Sequence, residues 1–333
     1  MAIDPKIINM YNNLIDEISI FVKSDQNLSF DLNSKLTVND YITIDKRINR
    51  NAVIKTDPID LLYKNEIKET KKTFENVKNG QSLDISSIES FIDTALPDIT
   101  GNNNILSRIR QLKEDDDYTY RHSLNVSILA TNIGKWLGYS AKQLKELGTA
   151  ALLFDIGKLT IPSEILNRPH KVTSKESKII QQHTVTGYNM LKLLNLPDSI
   201  LLAVLQHHEN MDGSGYPLGV SGDKIHEFAK IIHICDMYDA MTTDRIYAPK
   251  KSPFEVADLI RIESGSKLDP GIAYIFLNNI AEFYSGSKVI LNNGQTGTIR
   301  HINPLNPTSI TLQIGEKFLD LSKSPQLKIV DFI

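Results

Sequence analysis

The chain has 333 residues, too many for one small hydrophobic core, and we expect two or three structural units. Charged residues make up 23% of it and the formal net charge is -3, which excludes a global attraction for nucleic-acid polymers or anionic membranes, so phosphate binding must be local. The single cysteine, Cys235, excludes internal disulfides and cysteine-based zinc sites, and the lack of a long apolar run or secretion signal predicts a cytoplasmic protein.

The sequence changes character along the chain. Residues 1–55 combine a short helical pattern with alternating β-prone positions, which predicts a mixed α/β segment. Residues 56–112 are charged and mostly helical in pattern, and we interpret them as a helical connector. Residues 113–284 show sustained helical periodicity, so the predicted fold class is mainly α, a helical bundle.

The last part of the chain, residues 285–333, has a different pattern. About five short strand-like runs are separated by turn signals such as Asn293-Gly294 and Asn306-Pro307. This pattern predicts a small antiparallel β-domain. Two interpretations remain open for it: a structural appendage, which we favour, and a regulatory or contact module.

Polar residues fall on the apolar stripes of the central helices. His122 lies four residues before Val126 at the start of one stripe, and Asp155 follows Ala151 at the same spacing. Later helices place further ionisable residues on their inner faces: His183, His207, His208 and Asp236. Several helices therefore direct such side chains into one interior.

Two local features accompany these residues. The helix that holds His183 is predicted to open with a capping box of Thr173 and Glu176, and its buried stripe includes Ile179. Gly157, two residues after Asp155, suits a helix end, where a left-handed conformation costs little only for glycine.

The joint pattern favours a metal site. Singly, each residue is explained more simply as a hydrogen-bonded core histidine or a capping aspartate. Four histidines and two aspartates in one interior would be costly unless a divalent cation compensated for their desolvation and repulsion. A shell without thiolates suits iron, manganese or zinc in an open catalytic site. The adjacent His207 and His208 diverge by roughly 100° on a helix, so both can bind only near its end.

These residues lie in motifs that resemble the HD-GYP subgroup of the HD phosphohydrolase superfamily. The motifs are DYTYRH at 117–122, FDIGK at 154–158, His183, HHENMDGSGYP at 207–217 and DMYDAMTTDR at 236–245. The resemblance covers about half of the chain and implies a helical domain that holds two, sometimes three, iron or manganese ions. It implies cyclic di-GMP as the usual substrate, opened to the linear dinucleotide and sometimes on to GMP.

The resemblance also implies roles for individual residues. One metal would be held by Asp155, His183, His207 and His208, and the other by His122, Asp155 and Asp236, with Asp155 bridging. Asp155 and Lys158 would be catalytic, and the substrate would be contacted by Lys158, Arg245, Tyr216 and Asp212. For Lys158, a solvated residue favoured by the helix dipole is an equally good explanation.

Three positions depart from the family pattern. Phe154 stands where a metal-binding histidine is expected, and phenylalanine cannot bind a metal, so one of the two metal sites is weakened. Tyr118 stands where three-metal members have a glutamate, so we expect no third metal. Ala248 replaces an expected basic residue, with Lys250 and Lys251 slightly further on, which alters the grip on the substrate.

Two functional hypotheses remain open. The first, which we favour, is a cyclic-dinucleotide phosphodiesterase impaired by Phe154. The second is a degenerate domain that binds nucleotide, metal or a protein partner without turnover. A purely structural helical domain is the weakest alternative. By analogy with family members, residues 1–55 are a candidate regulatory segment, and the N-terminal or connector helices are candidates for a homodimer contact.

Overall fold

The computed structural model describes residues 58–100, 118–166, 173–243 and 250–333, which all fall within one compact unit, Thr56–Ile333. Two predictions concern residues outside these ranges: the mixed segment at 1–55, and the pair Arg245 and Ala248.

The described part is mainly helical, as the sequence predicts. Its helices are α1 (Pro58–Lys78), α2 (Ile85–Ser90), α3 (Leu96–Thr100), α4 (Tyr118–Trp136), α5 (Ala141–Leu153), α6 (Ser163–Leu166), α7 (Ser174–Gln181), α8 (His183–Lys192), α9 (Asp198–Gln206), α10 (Glu227–Thr242), α11 (Pro253–Glu263) and α12 (Pro270–Tyr284). A π-helical turn, Phe91–Ala95, joins α2 to α3, and 3₁₀ turns lie at Ile156–Thr160, Gly222–Lys224 and Leu321–Lys323. No helix in these ranges is long and apolar enough to span a membrane.

Local sequence explains where several helices begin. Ser140 and Gln143 form a capping box at the start of α5. The predicted box of Thr173 and Glu176 is confirmed at the start of α7, where the Glu176 carboxylate accepts the backbone N–H of Thr173 at 2.8 Å. Each box satisfies backbone donors that the first helical turn leaves unpaired.

The predicted single helix through Ile179 and His183 is wrong. The chain forms two helices, α7 and α8, separated at Gln182, and Ile179 is 44% exposed rather than buried. The backbone N–H of Gln182 donates to the carbonyl of Ile179 at 3.2 Å, a tighter i to i+3 turn that changes the rotation per residue. The apolar stripe is therefore out of phase across this break, and His183 begins a new helix.

The C-terminal β-domain is confirmed. Its strands are β1 (Lys288–Leu291), β2 (Thr296–Asn303), β3 (Asn306–Ile314), β4 (Lys317–Asp320) and β5 (Ile329–Phe332). They form one antiparallel sheet in the order β4-β3-β2-β1-β5. Phe332 contacts Tyr284 and Phe254, with ring centroids 5.1 and 6.1 Å apart, so the sheet packs against the last two helices.

Candidate metal centre

Four of the predicted ligands meet in one place. Asp155, His183, His207 and His208 each offer one ligand atom, and these atoms all lie within 4.8 Å of one another. Asp155 follows the end of α5, His183 is the first residue of α8, and α9 ends at Gln206 directly before the two adjacent histidines. The helix end that two neighbouring histidine ligands require is therefore present.

The hydrogen bonds of His183 and His207 orient both rings for metal binding. Nδ1 of His183 lies 2.6 Å from the carbonyl of Ile180, and Nδ1 of His207 lies 2.8 Å from that of Val204. A carbonyl oxygen only accepts, so each Nδ1 carries the proton. The two Nε2 atoms lie 3.1 Å apart. A cation held between them would be coordinated by both rings.

The protonation of the two adjacent histidines supports this assignment. Burial, together with the nearby His208 and His183, lowers the pKa of His207 well below its usual range. Burial is also the main cause that lowers the pKa of His208, to about 3. Both rings are therefore neutral near pH 7, the form that binds a metal.

Asp155 completes the cluster. Its Oδ2 accepts a hydrogen bond from Nζ of Lys158 at 2.5 Å. Burial acts to raise the pKa of Asp155, but the Lys158 charge and nearby His183 outweigh it and hold the pKa well below its usual range. Its buried Oδ1 lies 3.3 Å from Nε2 of His183, yet has no aligned donor among the described residues. A buried carboxylate oxygen with three imidazoles fits a divalent metal such as iron, manganese or zinc.

Gly157 has a different role from the predicted one. It is not in a left-handed conformation; it lies in the 3₁₀ turn that follows Asp155. A Cβ at this position would lie 2.0 Å from the carbonyl oxygen of His183 and 2.7 Å from the amide nitrogen of Gly187. Glycine is needed because the turn packs directly against the backbone of α8, and this contact brings Asp155 and His183 together.

A second buried group holds the other predicted ligands. Nε2 of His122 lies 2.9 Å from Oδ1 of Asp236, and Nδ1 lies 2.7 Å from Oδ2 of Asp239. Burial opposes protonation of His122, but Asp236 and Asp239 outweigh it and raise the pKa to about 9. Burial acts to raise the pKa of Asp236, and His122 outweighs it and lowers that pKa. Because Nδ1 of His122 is held by Asp239, Nε2 lies on the side of the Asp236 carboxylate. These two groups together could bind a second cation.

Phe154 lies in contact with both groups. Its side chain is fully buried, and its ring centroid is 5.7 Å from that of His122 and 4.9 Å from that of His207. Both contacts are edge-to-face, a favourable aromatic arrangement. The ring offers no ligand atom, so this position contributes packing and no coordination.

The loop after His208 is anchored by a buried glutamate. The Glu209 carboxylate, at a residue 2% exposed, accepts the backbone N–H groups of Leu218 at 2.6 Å and Gly219 at 3.1 Å. The loop holds Tyr216 against His208, with stacked rings whose centroids are 4.7 Å apart. A Cβ on Gly215 would lie 2.4 Å from the carbonyl of His208, so this close return of the chain requires glycine.

The remaining predicted residues are less closely tied to the cluster. Asp212 is exposed and accepts hydrogen bonds from the backbone and hydroxyl of Ser214. Arg245 and the side chain of Tyr118 lie outside the described part of the chain. Lys158 is close to Asp155, as described above.

Sequence reasoning missed several buried polar residues near the site. Asn125 lies three residues after His122, and Asp239 three residues after Asp236, so helical spacing could have found both. Glu209 follows His208 directly. Nδ1 of His233 donates to the Glu209 carbonyl at 3.1 Å, and its ring lies 6.4 Å from that of His208.

Comparison with known proteins gives a consistent result. The sequence profile of the family described as HD domain matches residues 92–272, more than half of the chain. The chain is 32% identical over 229 residues to the cyclic di-GMP phosphodiesterase PA4108 of Pseudomonas aeruginosa, covering 68% of this chain and 55% of that protein. A cyclic di-GMP phosphodiesterase of Thermotoga maritima is 36% identical over 176 residues, covering 52% of this chain and 46% of that protein.

Further relatives extend the comparison. The 3'3'-cGAMP-specific phosphodiesterase 1 of Vibrio cholerae is 34% identical over 168 residues, covering 50% of this chain and 39% of that protein. The chain spans about half the length of the curated relatives it matches. The structure of Bd1817, an HDG"Y"P protein of Bdellovibrio bacteriovorus, matches with a TM-score of 0.56 at 19% identity, covering 73% of this chain and 80% of that one. At this identity the likeness concerns the fold.

Proposed function

The chain belongs to the HD domain family, and from this premise we propose that it is a metal-dependent phosphodiesterase that hydrolyses cyclic di-GMP or a related cyclic dinucleotide in bacterial signalling. The observation that carries the proposal is the convergence of one carboxylate and three imidazoles, two of them with Nε2 atoms 3.1 Å apart. Relatives named as cyclic di-GMP and 3'3'-cGAMP phosphodiesterases support this substrate class.

We propose two divalent ions, iron or manganese, and no third. Asp155, His183, His207 and His208 would hold one, and His122, Asp155 and Asp236 the other. A divalent metal bound there supplies Lewis acidity toward a phosphate oxygen and lowers the pKa of water to near neutrality.

The chain's own residues would bind and orient the substrate. Lys158, at present paired with Asp155, places an ammonium group beside the cluster, where it can neutralise charge on a phosphate oxygen. Arg245 would grip a second phosphate through its two-pronged guanidinium group. Tyr216, stacked on His208 beside the cluster, offers a ring face on which a base can stack. Asp212 would contact the substrate from the same loop.

A second candidate function is supported by Phe154. A buried phenylalanine against both His122 and His207 leaves the second ion with fewer protein ligands than the first. Such a domain could bind metal and cyclic dinucleotide through the complete cluster without turning the substrate over. It would then act as a receptor or as a protein-interaction regulator.

One experiment separates the two. The purified chain is loaded anaerobically with Fe(II) or Mn(II) and incubated with cyclic di-GMP, and the linear dinucleotide and GMP are quantified. We expect slow hydrolysis that rises at least about tenfold in Phe154→His, because a restored imidazole strengthens the second site. Product from Phe154→His alone would identify the natural chain as a binder. No metal and no nucleotide bound by either protein would contradict both functions.

A further inference from the structure

A chain of buried hydrogen bonds leads from α1 to His122. The hydroxyl of Tyr63 in α1 donates to Oδ1 of Asn125 at 2.5 Å, and Nδ2 of Asn125 donates to Oδ1 of Asp239 at 2.8 Å. Oδ2 of Asp239 lies 2.7 Å from Nδ1 of His122. All four residues are at most 5% exposed.

The chemistry of these groups permits only one assignment of donors and acceptors along this series of hydrogen bonds. The carboxylate of Asp239 accepts hydrogen bonds, so Asn125 turns its amide nitrogen toward it, and His122 carries a proton on Nδ1. The amide oxygen of Asn125 then faces Tyr63, which has to donate. Each link fixes the next, and the last one fixes which nitrogen of His122 faces Asp236.

The chain of hydrogen bonds begins outside the family match. The HD domain profile matches residues 92–272, whereas Tyr63 lies in α1, Pro58–Lys78. Burying a tyrosine hydroxyl, an amide and a carboxylate costs free energy that an apolar contact between the same helices would avoid. Their arrangement on one line toward a predicted metal ligand therefore points to a role beyond holding the helices together.

We propose that Tyr63, Asn125 and Asp239 are positioning residues through which α1 sets the orientation of His122 and thereby the strength of the second metal site. This inference rests on the proposed function, since it assigns His122 to a metal. It also suggests how the connector could regulate the site. A signal that shifts α1 away from α4 would break the hydrogen bond between Tyr63 and Asn125, and the ring of His122 would then be held less firmly in its orientation. The complete cluster around Asp155 has no part in this chain of hydrogen bonds.

The structure supplies a matched control for the test. The hydroxyl of Tyr120 in α4 donates to the Glu75 carboxylate in α1, so it joins the same two helices as Tyr63 and Asn125. Tyr63→Phe and Tyr120→Phe each remove one hydroxyl bridge between these helices and keep the aromatic ring. The first bridge continues through Asn125 and Asp239 to His122. Asp239→Asn disrupts the last hydrogen bond of the series, between Asp239 and His122, and serves as a second test variant.

Two readouts are used on the whole chain. In the metal-free protein, ¹⁵N-histidine NMR follows the imidazole of His122, and we expect its signals to shift in Tyr63→Phe and Asp239→Asn but not in Tyr120→Phe. In Mn(II) titrations, we expect the weaker ion to lose affinity by about 3- to 10-fold in Tyr63→Phe and about 10- to 100-fold in Asp239→Asn. The tighter ion should be unaffected in Tyr63→Phe and Tyr120→Phe.

The outcomes are distinguishable. If Tyr63→Phe behaves like Tyr120→Phe in both readouts while both are folded by thermal melting, the inference is overturned. If Tyr63→Phe does not fold, Asp239→Asn with unchanged His122 signals overturns it instead. A wild-type chain that binds no second ion contradicts the metal assignment of the proposed function. The NMR comparison still tests the link between α1 and His122 in that case.

Discussion

Asp155 is the residue on which both halves of the proposed metal centre depend. Its Oδ1 faces His183 and His207, and its Oδ2 is held by Lys158. Phe154 and Asp155 are neighbours in sequence but differ in effect: the phenylalanine only packs, whereas the carboxylate has an oxygen available for a cation.

We predict that Asp155→Asn lowers the affinity for the tighter Mn(II) ion by about 100-fold or more, because the amide offers a neutral oxygen in place of a charged ligand. Isothermal titration of the wild type and the variant measures this. Asp320→Asn, which changes a partly exposed carboxylate that accepts hydrogen bonds from Ser322 in the β-domain, is the control and should titrate like the wild type. Equal affinities in Asp155→Asn and Asp320→Asn would exclude Asp155 as a ligand.

The metal-free protein should lose stability as the pH rises, because of His122. Its pKa is about 9 when folded and 6.5 as a free side chain, so its proton stabilises the folded state fully below pH 6.5. That contribution, up to about 3 kcal/mol, is lost as the pH rises through 9. Urea unfolding in chelator at pH 6.5 to 9.5 measures the slope, and His122→Gln should flatten it.

The acid side behaves in the opposite way. His207 and His208 have lowered pKa values and are neutral in the fold, so protons bind preferentially to the unfolded chain once the pH falls below 6.5. The free energy of unfolding of the metal-free protein should therefore also decrease as the pH falls below 6.5.

For the prediction on His122, an alkaline slope identical in wild type and His122→Gln would show that His122 does not gain a proton on folding.

At the scale of elements, the contact between the turn after α5 and the start of α8 assembles the cluster. The sequence marked Gly157 as a helix end, and the structure shows it as the point where the two backbones touch. A spacing rule cannot find this contact, because it joins residues 26 positions apart whose proximity depends on the break at Gln182.

We predict that Gly157→Ala destabilises the fold by about 3 kcal/mol or more and abolishes tight metal binding, because its Cβ would meet backbone atoms that cannot turn aside. Thermal unfolding and Mn(II) titration measure the two effects. The control is Gly271→Ala in the first turn of α12, where a Cβ would meet only the Asp269 side chain at 3.4 Å. A Gly157→Ala protein as stable as Gly271→Ala would refute this packing.

The loop that carries Tyr216 depends on Glu209. We predict that Glu209→Ala accelerates amide hydrogen exchange at Leu218 and Gly219 by about 10-fold or more, since two buried hydrogen bonds to one carboxylate oxygen are lost. Exchange measured by NMR tests this in the absence of substrate. Glu209→Gln keeps one acceptor oxygen and should retain most of the protection. Unchanged exchange in Glu209→Ala would mean that other contacts hold the loop.

At the scale of the whole molecule, the sequence predicted the helical class, the C-terminal sheet and a cluster of histidines and aspartates. Those features follow from periodicity and from motif residues that are local in the chain. The link from Tyr63 through Asn125 and Asp239 could not be predicted, because its partners are 62 and 114 positions apart and nothing in the spacing pairs them. The same holds for Phe154, whose contacts with rings from both ligand groups depend on tertiary packing.

The most direct test of the account is an anomalous diffraction measurement on crystals grown with Mn(II) or Fe(II). We predict a strong peak within coordination distance of Asp155, His183, His207 and His208, and a weaker one beside His122 and Asp236 that strengthens in Phe154→His. If a crystal grown with saturating Mn(II) or Fe(II) showed no peak among Asp155, His183, His207 and His208, this would contradict the central claim that these residues form a metal centre.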